Sequence, residues 1–174
     1  MHILFATLGI LAAAAFWIYR IRQAEDHTRT ALEAAQDVKA AARRFGFRTR
    51  ANQHPTEGVD DPRVTAAALL VLVAEIDGGI SRTEQDCILD QLQHVFQVSA
   101  FDAEELYLFA KWLAGQSTNP DDMIRRLIKR TVSLGGRDTL PDLMQMVSAV
   151  GKADTGTPTD DTLQVIEKLK QLNA

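Results

Sequence analysis

A run of residues without a single charge, Ile3 to Tyr19, constrains this chain more than any other feature. As a helix rising about 1.5 Å per residue it would be roughly 26 Å long, at the short end of what crosses a bilayer core. Trp17 and Tyr19 stand at its C-terminal edge, where amphipathic rings favour the lipid–water interface. Arg20 and Arg22 follow at once, and His2 is the one titratable side chain before the run. Arginines flanking a span are retained on the cytoplasmic side. The expectation is therefore a single-pass anchor over residues 1–20, touching the bilayer through 3–19, with the rest of the polypeptide cytoplasmic. The rival is a cleaved signal peptide, which needs a basic start that this chain lacks. Phe16 and Trp17 also continue the apolar run past the alanines that would offer a cleavage site. A buried core helix is the third reading, weakened by the absence of a polar face.

The remainder reads as one domain of ordinary size. Its only cysteine, Cys87, excludes an intramolecular disulfide and reads as a small buried apolar residue. Charge is split: residues 1–60 hold 8 basic and 6 acidic side chains, and residues 61–174 hold 11 and 17. A net acidic domain argues against non-specific nucleic-acid binding, which depends on basic charge displacing counterions. Alanine and leucine dominate and aromatics are few, which suits helices.

Residues 21–60 are expected to form a helical stalk and then a linker. Ile21 to Arg44 contains no proline or glycine, and no strong apolar stripe stands out in it. Lys39, Arg43, Arg44, Arg48 and Arg50 bring five positive charges with no intervening acid, interleaved with Phe45 and Phe47. Two readings stay open for this patch, a solvated linker or a contact surface. Basic residues near an anionic lipid surface gain about 1 kcal/mol each, but a straight stalk would hold the patch away from its own bilayer, so a partner protein is the better contact. Thr49 to Asp61, with Asn52, Pro55 and Gly58, reads as irregular.

From Pro62 onward the chain reads as consecutive helices, with no period-2 alternation that would indicate strands. The first runs from Pro62 to Ile76, capped by Asp60 or Asp61, and its nearly all-apolar interior Ala66 to Ala74 marks it as the central helix. The second opens with a capping box, Ser81 with Glu84, and runs to Gln97. The third follows Ser99 and ends near Gly115; the fourth follows Asn119-Pro120 and stops at Gly135-Gly136. The fifth follows Thr139 and reaches Lys152, and the last spans Pro158 to Leu172.

An internal repeat lies within this domain. Asp77-Gly78-Gly79-Ile80-Ser81-Arg82-Thr83-Glu84 aligns with Asp154-Thr155-Gly156-Thr157-Pro158-Thr159-Asp160-Asp161 at an offset of 77 residues. An acid recurs seven residues after each first aspartate, and Ile88, Leu89 and Leu92 align with Val165, Ile166 and Leu169. Each unit is a helix, an acidic turn and a helix, and two such hairpins can close face to face around one core.

The segment Ala66 to Leu92, with its buried helix, Asp77-Gly78 turn and Glu84 seven residues on, resembles the TerB-like family of tellurite-resistance proteins. The resemblance covers about residues 60–174. The second turn departs from the family pattern: Thr155 replaces a glycine, Thr157 an apolar residue, and Asp161 stands for the glutamate. The resemblance implies an all-α bundle of about seven helices in two pseudo-repeats over 61–174. It also implies a divalent-metal site, for calcium or magnesium, built from Asp77, Glu84, Asp154 and Asp161. Hard cations want several oxygen ligands. Each acid also has an ordinary explanation: Glu84 in its capping box, Asp77 and Asp154 as turn formers, Asp161 in a first helical turn. The spacing does not fit an EF-hand loop of about twelve residues. Membrane-anchored DnaJ-like relatives carry a span before such a domain, but His54-Pro55-Thr56 is not a J-domain's His-Pro-Asp, so co-chaperone activity does not transfer.

Enzyme signatures are few. His2, His27, His54 and His94 are scattered, and no nucleophile–base set or phosphate-binding glycine loop stands out. Arg125, Arg126, Lys129 and Arg130 form one basic helix face, opposite Met123, Ile124, Leu127 and Ile128, and such faces are most often simply solvated. The expected function is a non-catalytic module on the cytoplasmic face of a bacterial inner membrane, an accessory or scaffold subunit beside another membrane protein or complex. No nucleic acid or small-molecule substrate is expected. The alternative is a divalent-metal sensor or buffer in an envelope or metal stress response. Contact residues for membrane or partner are Trp17, Tyr19, Arg20, Arg22, Arg43, Arg44 and Arg48.

Overall fold

Helix α2 (Pro62–Glu75) organises the molecule. Every residue from Val64 to Ala74 is buried, and a helix that is apolar all round has to be enclosed by others. The computed structural model describes residues 36–48, 53–76 and 78–173, and Val38–Ala174 make one compact unit. Within it α2 touches five other helices: α3 (Arg82–Phe96), α4 (Ala100–Ala114), α5 (Pro120–Gly135), α6 (Leu140–Val150) and α7 (Asp160–Asn173). Ala66, Ala67, Ala68 and Ala74 keep parts of α2 thin, which lets neighbouring helices approach closely. With α1 (36–44) there are seven α-helices and no strand among the described residues. The all-α expectation therefore holds for the described part.

The helix starts are those the side chains dictate. Asp61 caps α2 by accepting from the Arg63 amide at 2.9 Å. Ser99 and Asn119 cap α4 and α5 by accepting from the amides of Asp102 and Asp122. Thr159 accepts from the Thr162 amide, so α7 opens at Asp160, two residues later than expected. Thr139 does not cap with its side chain; a short 3₁₀ turn over Arg137–Thr139 leads directly into α6. Inside the core the Thr65 hydroxyl donates to the Pro62 carbonyl at 2.9 Å and accepts from the Thr131 hydroxyl at 2.7 Å. Both buried hydroxyls are thereby satisfied.

The segment before α2 differs from the expected stalk and linker. Val38, Ala41, Ala42 and Phe45 recur at helical spacing on one face of α1 and pack on the core, with Ala41 and Phe45 buried. Half of that stripe is alanine, which is why it does not stand out in the sequence. Phe47 meets Phe109 and Trp112 edge-on, with ring centroids 5.4 and 5.3 Å apart. Pro55–Gly58 forms a 3₁₀ turn rather than irregular chain, with Thr56, Gly58 and Val59 buried. The Gly58 carbonyl accepts from the Arg48 amide at 2.9 Å, and a Cβ on Gly58 would lie 2.4 Å from the Arg48 carbonyl oxygen, so only glycine fits that crossing. Arg130 of α5 fixes the same segment by donating twice to the Val59 carbonyl, at 2.9 and 2.7 Å. The compact unit thus begins at Val38, ahead of the boundary expected at residue 61.

Candidate functional site

The two repeat turns meet through one serine. Ser81 and Glu84 form the expected capping box: the Ser81 amide donates to the Glu84 carboxylate at 2.9 Å, and the Glu84 amide donates to the Ser81 hydroxyl at 3.1 Å. That hydroxyl then donates to the Asp154 carboxylate at 2.7 Å, bridging the start of α3 to the turn between α6 and α7. Gly79 and Gly156, paired by the 77-residue offset, both have positive φ, +138° and +75°. Gly78 also lies at positive φ, +117°, while Thr155 at its equivalent position does not. The duplicated turns therefore share one glycine-dependent step and differ in the one before it.

Removing the Ser81 hydroxyl takes away a helix cap and the inter-turn bond together. Ser81→Ala is expected to cost about 1 kcal/mol, the usual worth of such a cap, read as a lowered urea midpoint with an unchanged slope. No measurable change would mean that neither bond persists in solution.

Asp161 makes no hydrogen bond with Ser81. It sits in the first turn of α7 and lines a groove of about 440 Å³ with Glu75, the last residue of α2, and with Asp121 and Lys168. Lys168 donates to Asp121 at 3.0 Å. On α4 the Tyr107 hydroxyl is buried without a hydrogen-bond partner among the described residues. Burial, and secondarily the Glu75 charge, push its pKa up.

The basic residues are largely engaged. Arg44 bridges Asp102 and Glu105 at the start of α4 and lies over the Phe101 ring. Arg43 and Arg48 are exposed and take no part in an ion pair among the described residues. On α5, Arg125 and Arg126 pair with Asp122 at 3.1 and 2.6 Å, and Arg130 with Asp60 at 3.1 Å. Arg126 also lies near His54, whose pKa is lowered first by burial and then by that positive charge. Arg130, and Arg126 through Glu57 at 4.0 Å, thus tie the basic face to the segment before α2.

Compared with known proteins, the family described as tellurite resistance protein TerB matches residues 63–172, more than half of the chain. This chain belongs to the TerB family. No curated protein and no solved structure matches it.

For this TerB domain the structure joins both Glu84 and Asp154 to Ser81, the Glu84 carboxylate accepting from its amide and the Asp154 carboxylate from its hydroxyl, and places Asp161 in the groove at the end of α2. Asp77 lies outside the described residues, as do Trp17, Tyr19, Arg20 and Arg22. Among the described residues no three Asp, Glu, His or Cys side chains gather closely enough to hold an ion. The described acids alone thus do not make up a metal set, and two of them are engaged as hydrogen-bond acceptors. Half-buried Cys87 has its thiol pKa raised, chiefly by burial, which keeps it protonated and apolar in character. Glu75, Asp121 and Lys168 were not among the sequence candidates. Glu75 carried a readable signal, an acid closing a helix whose last turn has no basic residue.

Proposed function

We propose that this TerB-family chain is a membrane-tethered, non-catalytic interaction module, an accessory or scaffold subunit held at the cytoplasmic face of a bacterial inner membrane. The observation that carries this reading is the uncharged run Ile3–Tyr19 with Arg20 and Arg22, set before a domain of this family. The run lies outside the described residues, and no helix among the described ones is long and apolar enough to cross a membrane. Exposed apolar side chains support the binding role. Phe101 is 63% exposed and Leu108 41%, one heptad apart on α4, so they share a face.

The test is gentle detergent extraction of the tagged full-length protein from its own membranes, with mass spectrometry of what accompanies it. A stoichiometric membrane-protein partner is the expected result. Recovery in the soluble fraction would remove the tether, and recovery alone from membranes would remove the scaffold role. The second outcome leaves the divalent-cation alternative, tested by calorimetric titration of calcium and magnesium into the protein and its Asp154→Asn variant.

A further inference from the structure

The two repeat units differ at the end of their first helices. The position equivalent to Glu75 at the 77-residue offset is Lys152. A lysine is the charge that a helix C-terminus favours, because the unpaired carbonyls there carry partial negative charge. Helix α2 instead ends on an acid, with no basic residue in its last turn. Its negative end opens into the groove between α2, the end of α4, α5 and α7, where Asp161 adds a second acid. The nearby cation, Lys168, is held by Asp121. Neither Glu75 nor Asp161 takes part in an ion pair among the described residues. Beneath the acids the floor is apolar, formed by Leu72, Ile124 and Val165. A helix end, two uncompensated carboxylates and an apolar floor together favour a cation carried on an apolar stem.

We propose that this groove is the docking surface for a partner polypeptide, which inserts an arginine or lysine flanked by apolar side chains. The basic group meets Glu75 and Asp161 at the end of α2, and the apolar neighbours cover Leu72, Ile124 and Val165. A volume of about 440 Å³ suits a few side chains rather than a whole helix. This assigns the partner surface within the interaction-module reading and rests on that reading.

The test places a photo-reactive p-benzoylphenylalanine at Gln164 in the groove, and separately at Leu108 on α4, in the full-length protein in its own membranes. The expected result is capture from Gln164 of a peptide with a basic residue beside apolar ones. Capture should fall about tenfold in Glu75→Lys/Asp161→Lys and hold in the control Asp86→Lys/Asp90→Lys. Circular dichroism checks folding; should the lysine pair not fold, Glu75→Gln/Asp161→Asn decides, with capture reduced about threefold. Capture that survives the charge change, or of a segment without a basic residue, overturns the proposal. So does a cross-link to this chain itself. Capture from Leu108 alone overturns the groove but keeps the interaction module, and capture from neither position overturns both.

Discussion

Phe109→Ala is expected to lower the stability of the folded unit by about 4 kcal/mol, within the range for truncating a buried aromatic. Phe109 is fully buried and is the largest of the fully enclosed side chains among the described residues. Its ring is stacked on Trp112, with centroids 5.5 Å apart and planes 14° from parallel, and Phe47 meets both rings edge-on. Such contacts add about 0.5–1.5 kcal/mol per pair beyond the area buried. Truncation therefore opens a hole under α4 and also removes the seat of Phe47, which ties the segment before α2 to the bundle. Denaturant unfolding followed by tryptophan emission checks this. The chain has two tryptophans, Trp17 and Trp112, so a Trp17→Phe background isolates the relevant one. A loss below about 1 kcal/mol, typical of an ordinary substitution, with unchanged Trp112 emission, would mean that this aromatic cluster lies outside the cooperative core.

That cluster also shows where sequence reasoning reached and where it stopped. Helices α2 to α5 were legible because each start is written locally, in Asp61, Ser81, Ser99 and Asn119, whose side chains accept from amides two or three residues on. The centrality of α2 was legible because eleven consecutive buried residues leave no polar face. The docking of Phe45 and Phe47 was not. Their aromatic rings sit among arginines, and the meaning of that mixture is set largely by partners 58 or more residues away. Arg44 reaches Asp102 and Glu105, and Arg130 reaches back to Val59. A basic run reads as a free patch until the long-range acids that absorb its charge are known.

The candidate site was legible in part for a similar reason. The repeat placed Ser81, Glu84 and Asp154 in equivalent turns, and the Ser81–Asp154 bond joins those turns. The family resemblance implied one site from Asp77, Glu84, Asp154 and Asp161; of these, Asp161 lines a groove with Glu75, the last residue of α2. Periodicity orders residues along each hairpin; it does not say on which side of the other hairpin each acid will fall.

Gly151 is a position where a single methyl group should push apart α6 and α7, the two helices of the second hairpin. It closes α6 with ordinary right-handed angles, φ −66° and ψ −8°, so glycine is not there for conformational freedom. The reason is space: an added Cβ would lie 2.3 Å from Cγ2 of Thr162, 2.8 Å from its Oγ1 and 3.1 Å from its Cβ. Thr162 is β-branched, 1% exposed and held beside Thr159, so it has little room to turn away. Replacing glycine by alanine ordinarily gains about 0.4–1 kcal/mol by restricting the unfolded chain. Overpacking here costs about 1–3 kcal/mol, and with contacts this short the clash should win. Gly151→Ala is therefore expected to destabilise by about 2 kcal/mol net, and to weaken the Ser81–Asp154 link by moving the turn that carries Asp154. Thr162→Ala removes the two closest atoms, so the double variant should recover more than about 1 kcal/mol relative to the sum of the singles. Additivity within about 0.3–0.5 kcal/mol would show that the two residues are not in contact in solution. At the same offset the first hairpin has Ala74 and Gln85 in place of Gly151 and Thr162. The repeat units thus keep one topology while α6 and α7 approach through a glycine contact that α2 and α3 do not use.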